Sequence, residues 1–197
     1  MTELTPRQLI LASTSVYRRQ MLERLHLPFT VIASCVDEVA LPGETPQHLA
    51  CRLALAKAHA VALEHPQSVV IGSDQVADLN GTALGKPGTH TRAIEQLQRM
   101  RGQTVVFQTA VAVVCIASGF SKTELAQVKV QFKYLSDTQI EHYLLAEQPY
   151  DCAGSAKSEG LGIALLARID NDDPTALVGL PLIRTCQLLE SAGFKVL

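Results

Sequence analysis

Residues 68–75 read Ser68-Val69-Val70-Ile71-Gly72-Ser73-Asp74-Gln75. The first five residues predict a central, buried strand that ends in a turn. Asp74 then falls at the end of an apolar strand, where α/β sheets place their ligands. A carboxylate there can hold Mg²⁺ or act as a general base toward water. An Asx-turn closing the strand is the plainer alternative.

Working outward, elements of both kinds flank this stretch. Upstream, Leu9–Ala12 reads as a short buried strand that runs through Ser13-Thr14-Ser15 into a helical pattern with Met21, Leu22 and Leu25. Phe29–Ala33 reads as a second strand. Thr45-Pro46 is a helix start, with Thr as N-cap and Pro in the first turn, and the segment to about Glu64 is rich in Ala and Leu. Downstream, Thr89–Arg101 predicts a helix ended by Gly102. Val105–Ala117 is a long apolar strand. Val128, Val130, Phe132 and Tyr134 alternate with Lys129, Gln131 and Lys133, which marks a half-exposed strand antiparallel to its predecessor. Ser136-Asp137-Thr138-Gln139 is a capping box that opens a helix. Ile163–Ile169 reads as a strand, and a last helix runs from about Pro181 to Ala192 and stops at Gly193. The expected fold is α/β, a mixed sheet flanked by helices, in one domain over 1–197.

Composition bounds the function classes. Hydrophobic residues at 47% and charged residues at 18% provide for a sizeable core. With a net charge of -2 and no block of Lys and Arg, nothing marks a nucleic acid polymer or an anionic membrane as partner. Val105–Ala117 is too short to span a bilayer. Met1–Arg7 has no apolar signal core. Cys35, Cys51, Cys115, Cys152 and Cys186 are scattered and odd in number, which favours reduced thiols in a cytoplasmic protein.

Four further stretches can carry chemistry. Ser13-Thr14-Ser15-Val16-Tyr17-Arg18-Arg19 puts hydroxyls and free N–H groups at a helix N-terminus, which favours phosphate, with Arg18 and Arg19 able to add bidentate bonds. Gly85-Lys86-Pro87 aims a lysine from a tight turn. Asp37-Glu38 is an acid pair suited to a hydrated divalent cation. Cys152–Gly162, with three glycines, permits close backbone approach to a ligand. Each also has a plain structural reading: capping, a solvated lysine, a loop acid pair, an ordinary loop. Lys57, in an apolar helical stretch, either snorkels or serves a site. Asp170–Pro174 reads as an acidic surface turn.

Taken in order, Ser13-x-Ser15 with Arg18-Arg19, Gly72-x-Asp74, Gly85-Lys86-Pro87, Ala153-Gly154 and Gly179-Leu180-Pro181-Leu182 resemble the Maf family of nucleotide pyrophosphatases. Gly72-Ser73-Asp74-Gln75, Pro149–Ser155 and Lys157-Ser158-Glu159-Gly160 are similar to a branch of it described as 7-methyl-GTP pyrophosphatase. The resemblance implies a fold like that of the inosine triphosphate pyrophosphatases, with a central cleft, and a homodimer. It implies a nucleoside triphosphate substrate and a divalent metal cation (Mg²⁺, Mn²⁺ or Co²⁺). It implies that Asp74 accepts the proton, that Ser13, Ser15, Arg18, Arg19, Lys57 and Lys86 hold the triphosphate, and that Glu38 with Asp74 holds the metal. Tyr17, Gln75 and Glu159 fall at positions that set substrate choice. Val16 stands where the family usually has Pro, which loosens the entry turn without removing a phosphate ligand. Two rivals remain: a dTTP/UTP pyrophosphatase, against which Gln75 and Glu159 argue, and a nucleotide-binding regulatory protein of cell division without significant turnover.

Overall fold

The structure is a computed structural model that describes residues 7–197. The reading of Met1–Arg7 therefore lies, up to residue 6, outside the described residues. Seven strands form one sheet: β1 (Leu9–Leu11), β2 (Phe29–Val31), β3 (Val69–Leu79), β4 (Thr82–Leu84), β5 (Thr104–Cys115), β6 (Phe120–Phe132) and β7 (Leu166–Asp170). Their order is β2-β1-β3-β5-β6-β7, with β4 paired to β3 beside that path. β1 is parallel to β2 and β3, whereas the β3-β5-β6-β7 ladders are antiparallel. The sheet is thus mixed, as the sequence implies. Five helices flank it: α1 (Val16–Glu23), α2 (Pro46–Glu64), α3 (His90–Met100), α4 (Asp137–Glu147) and α5 (Leu182–Ser191).

The period-two geometry of β3 sorts the core. Val70 and Val76 pack in a cluster with Leu53, Ala54 and Ala58 of α2. Val69 and Ile71 join α1 and α5 on the opposite face. Further along that second face, Ala77 and Leu79 join Leu97 of α3 and Leu144 of α4. The middle of β3 is left between the two helix groups, and there the strand carries Ser73, Asp74 and Gln75.

β3 does not end at Gly72. It pairs with β5 residue for residue from Val70 to Asp78, so Asp74 sits mid-strand. Its polar residues do not end the strand because their side chains are satisfied within the fold: Ser73 Oγ donates to Ala110 O at 2.8 Å and Gln75 Nε2 donates to Thr109 Oγ1 at 2.9 Å. Gly72 is a close-approach residue instead of a turn. A Cβ there would lie 2.2 Å from Ala54 O and 2.6 Å from Ala58 N of α2.

Other departures have similar causes. β6 begins at Phe120, well before Val128, because its first half is exposed and shows no alternation. Residues Leu161–Leu165 form a 3₁₀ turn and only Leu166–Asp170 is strand. Asp170–Pro174 is not a mere surface turn. Asp173 is fully buried, accepting from the Ile183 and Arg184 N–H groups at 3.0 and 3.2 Å and from Thr175 Oγ1 at 3.0 Å. It caps α5 and fixes the turn before it.

Candidate active site

A cleft of about 1130 Å³ opens beside the centre of β3. The β1–α1 turn forms one end. Ser15 is the N-cap of α1 and its side chain accepts from Arg18 N at 3.4 Å. Ser13 Oγ accepts from Ser15 N at 3.2 Å and from Arg18 Nη1 at 3.4 Å. Arg18 Nε donates to Gly179 O at 3.0 Å, so the guanidinium is held along the cleft wall. Burial lowers the pKa of Arg18, and the charges of Asp74 and Glu38 act against that shift. Val16, in place of the family's Pro, is 62% exposed and leaves α1 capped normally.

Arg19 departs from expectation. It points to solvent and pairs with Glu23 at 2.9 Å, away from the cleft lining. Tyr17 and Arg18 line the cleft, and Arg19, about 100° further round the α1 axis, falls outside that lining.

The cleft floor carries three charged groups. Lys57 Nζ donates to Asp74 Oδ1 at 2.6 Å and lies 2.6 Å from Glu38 Oε1. Lys57 and Asp74 are 5% and 7% exposed, so this contact is largely shielded from solvent. Lys57 reaches the cleft, but its ammonium joins the two carboxylates rather than standing open to phosphate, because Asp74 lies on the β3 face that α2 covers. Burial pushes the Glu38 pKa up, but the hydrogen bond and charge of Lys57, with Lys86 and Arg18, outweigh it and the net shift is down. Lys86, after β4, lines the cleft and is exposed.

Tyr17, Gln75 and Glu159 also line the cleft. The Cys152 thiol reaches the Tyr17 hydroxyl at 3.8 Å, and Lys157 Nζ stands 5.9 Å from the Tyr17 ring centroid. Burial, and next Cys152, raise the Tyr17 pKa, so the phenol keeps its proton. Burial together with Asp151 pushes the Cys152 thiol up to about 12. Gln75 Nε2 also donates to Ala176 O and Leu177 O at 3.0 and 3.1 Å, which turns its carbonyl end away from that turn.

One supporting feature was not legible beforehand. The carbonyls of Ala176–Gly179 accept from Gln75, Thr109, Ser73 and Arg18, gathering side chains of three elements around one turn. Ser73, fully buried, was the available signal: a lone hydroxyl after an apolar run must find a partner.

Comparison with known proteins settles the family. A model described as Maf-like protein matches residues 8–192. The chain belongs to the Maf family. A 7-methyl-GTP pyrophosphatase of Albidiferax ferrireducens is 68% identical over 197 residues, covering 100% of this chain and 99% of that one. One of Polaromonas sp. is 71% identical over 194 residues, covering 98% and 89%. Among solved structures, the Ham1 protein of Staphylococcus aureus aligns with a TM-score of 0.47 and 16% identity, over 65% of this chain and 73% of that one.

In this Maf chain Glu38 and Asp74 are the residues that could hold a hard divalent cation. Glu38 and Asp74 both approach one ammonium at 2.6 Å, which brings their oxygens to one point of the cleft. Among the described residues no group of three or more His, Cys, Asp or Glu that could hold a metal ion occurs. Two carboxylates would leave the remaining positions of such a cation to other oxygen donors, which is Mg²⁺ chemistry and not that of a closed zinc site.

Proposed function

We propose that this Maf chain is one catalytic domain that hydrolyses a nucleoside triphosphate to the monophosphate and pyrophosphate, with 7-methyl-GTP as preferred substrate. The observation that carries the reading is Asp74, buried beside Lys57 and Glu38 on the floor of a cleft whose wall holds Arg18 and whose rim holds Lys86.

Lys57 donates to Asp74 Oδ1, which leaves Oδ2 for a water. That second oxygen orients a water toward the α-phosphorus and takes its proton as the new P–O bond forms. The bond to pyrophosphate breaks on the opposite side, and the leaving charge is met by Arg18, Lys86 and the α1 N-terminus. Glu38 and Asp74 would hold a divalent cation, which when bound supplies charge stabilisation at the phosphates. Ser13 and Ser15 shape the α1 entry. Arg19 is too far turned to share in this.

Base choice is assigned to Tyr17, Gln75 and Glu159. Methylation at N7 makes guanine cationic, and a stacked aromatic face attracts a cation by about 0.5–2 kcal/mol. Glu159 accepts from the N–H groups of guanine's pairing edge, which thymine and uracil lack as a pair. The family reading carries with it a homodimer and a cytoplasmic setting; the five free cysteines suit the latter. Among the described residues no helix is long and apolar enough to cross a membrane.

The test is pyrophosphate release from 7-methyl-GTP, GTP, dTTP and UTP, with and without Mg²⁺ or Mn²⁺. Metal-dependent release strongest with 7-methyl-GTP is expected, and Glu159→Gln should narrow that preference. A preference for dTTP or UTP would keep the reaction and discard the base assignment. No release from any of them by folded protein would favour a binding role without turnover.

A further inference from the structure

Glu159 lies on an exposed stretch, yet a residue that reads a base edge must be held still. The surrounding loop shows how. Lys157–Gly162 folds back on itself: Gly160 N donates to Lys157 O at 3.1 Å, and a Cβ at Gly162 would lie 2.4 Å from the same carbonyl oxygen. One face of this compact loop rests on α4. Glu147 Oε1 lies 2.8 Å from Lys157 Nζ, and Oε2 accepts from Leu161 N at 2.8 Å. Its carboxylate thus holds both sides of Glu159. A Cβ at Gly160 would stand 2.7 Å from Glu147 Oε2, so the loop backbone is pressed against it. One turn earlier, the buried Tyr143 hydroxyl accepts from Lys157 N at 3.0 Å.

Tyr143 and Glu147 are four residues apart and share one helix face. α4 is itself well anchored, with a reciprocal capping box at Ser136 and Ile140 and Leu144 fully buried. Lys157, drawn down by Glu147, is also the cation near the Tyr17 ring. The same carboxylate therefore sets the position of groups beside two of the three base-choice residues.

We propose that Glu147, assisted by Tyr143, is a positioning residue for base recognition: it docks the Lys157–Leu161 loop on α4 and so holds Glu159 and Lys157 at the base end of the cleft. This rests on the pyrophosphatase reading above. Neither residue touches the phosphate end, so the chemical step is untouched by their loss.

The experiment uses the full chain and the variants Glu147→Gln and Tyr143→Phe, with KM and kcat measured for 7-methyl-GTP and UTP. Glu147→Gln keeps an acceptor for Leu161 N and loses the ion pair with Lys157. The 7-methyl-GTP:UTP ratio of kcat/KM is expected to fall about tenfold in it, through a raised KM for 7-methyl-GTP, with kcat for both substrates and KM for UTP within about twofold of wild type. Tyr143→Phe removes one hydroxyl and should shift the ratio the same way by less; if Glu147→Gln fails to fold, it decides alone. An unchanged ratio, or an equal loss with both substrates, would overturn the inference and reduce Glu147 to a structural contact. A wild-type protein that turns over neither nucleotide would instead overturn the reading of the cleft, and this inference with it.

Discussion

At the scale of single residues, the chemistry turns on which oxygen of Asp74 is left for water. Lys57 takes Oδ1 at 2.6 Å and is shared with Glu38. An amide in place of Asp74 keeps nearly the same volume but cannot accept a proton. Asp74→Asn is therefore expected to lower kcat by about 10²–10⁴-fold while still binding the nucleotide. Steady-state rates together with calorimetric titration of a triphosphate check both halves; turnover close to wild type would remove Asp74 as proton acceptor. That Asp74, Glu38, Lys86, Ser13 and Arg18 belong to one cleft was legible from the ordered motifs that resemble the Maf family; Glu38 and Lys86 taken alone read as an ordinary acid pair and a solvated lysine. Arg19, expected at the phosphates, pairs instead with Glu23 outside the cleft lining, because a motif does not show which residues of a helix turn face a cleft. Asp173 was misjudged because an acidic stretch looks solvated until a helix N-terminus is found waiting for its carboxylate.

At the scale of elements, close packing of α2 on β3 presents Lys57 to Asp74. The approach depends on Gly72, Ala54 and Ala58 being small. Gly72→Ala would push a methyl group into the α2 backbone, and a loss of about 1–3 kcal/mol in stability is expected, read as a lower melting temperature. An unchanged melting temperature would contradict the close approach. The loop bearing Glu38 is held to α2 by Arg52, which pairs with Glu44 at 2.6 Å and donates to Val39 O at 3.0 Å. The hydrogen bond from Arg52 depresses the Glu44 pKa to about 2. Because the folded value lies below the unfolded one, this lock is fully present above the ordinary carboxylate range near 4.3 and fades as pH falls toward about 2. Arg52→Ala should accordingly lose stability at pH 6 and approach the wild type in acid, as denaturant unfolding at several pH values would reveal; a constant gap down to pH 2 would contradict the assignment. Helix starts and the alternating strand were legible because caps and period-two patterns are local signals. The full length of β3 was not, since its continuation past Gly72 rests on hydrogen bonds to residues 110 and 176–179, far away in sequence.

At the scale of the whole molecule, β3 joins the parallel part of the sheet to the antiparallel part, and the middle of that strand, with Asp74 and Gln75, lines the cleft together with residues of α1 and α2. A mixed sheet could be read from the alternation of elements. Its strand order could not, because β1 pairing with β3 and β7 with β6 are choices of non-local packing. The cleft brings together the carboxylates of Glu38 and Asp74, the cations Arg18, Lys57 and Lys86, and the side chains of Tyr17, Gln75 and Glu159. The proposed reaction puts attack at the α-phosphorus, with pyrophosphate as the leaving group. The most direct test is hydrolysis of 7-methyl-GTP in ¹⁸O-labelled water, followed by mass spectrometry of both products. Label in the nucleoside monophosphate, with unlabelled pyrophosphate, is the expected result. Label in pyrophosphate, or release of single phosphates, would contradict the account.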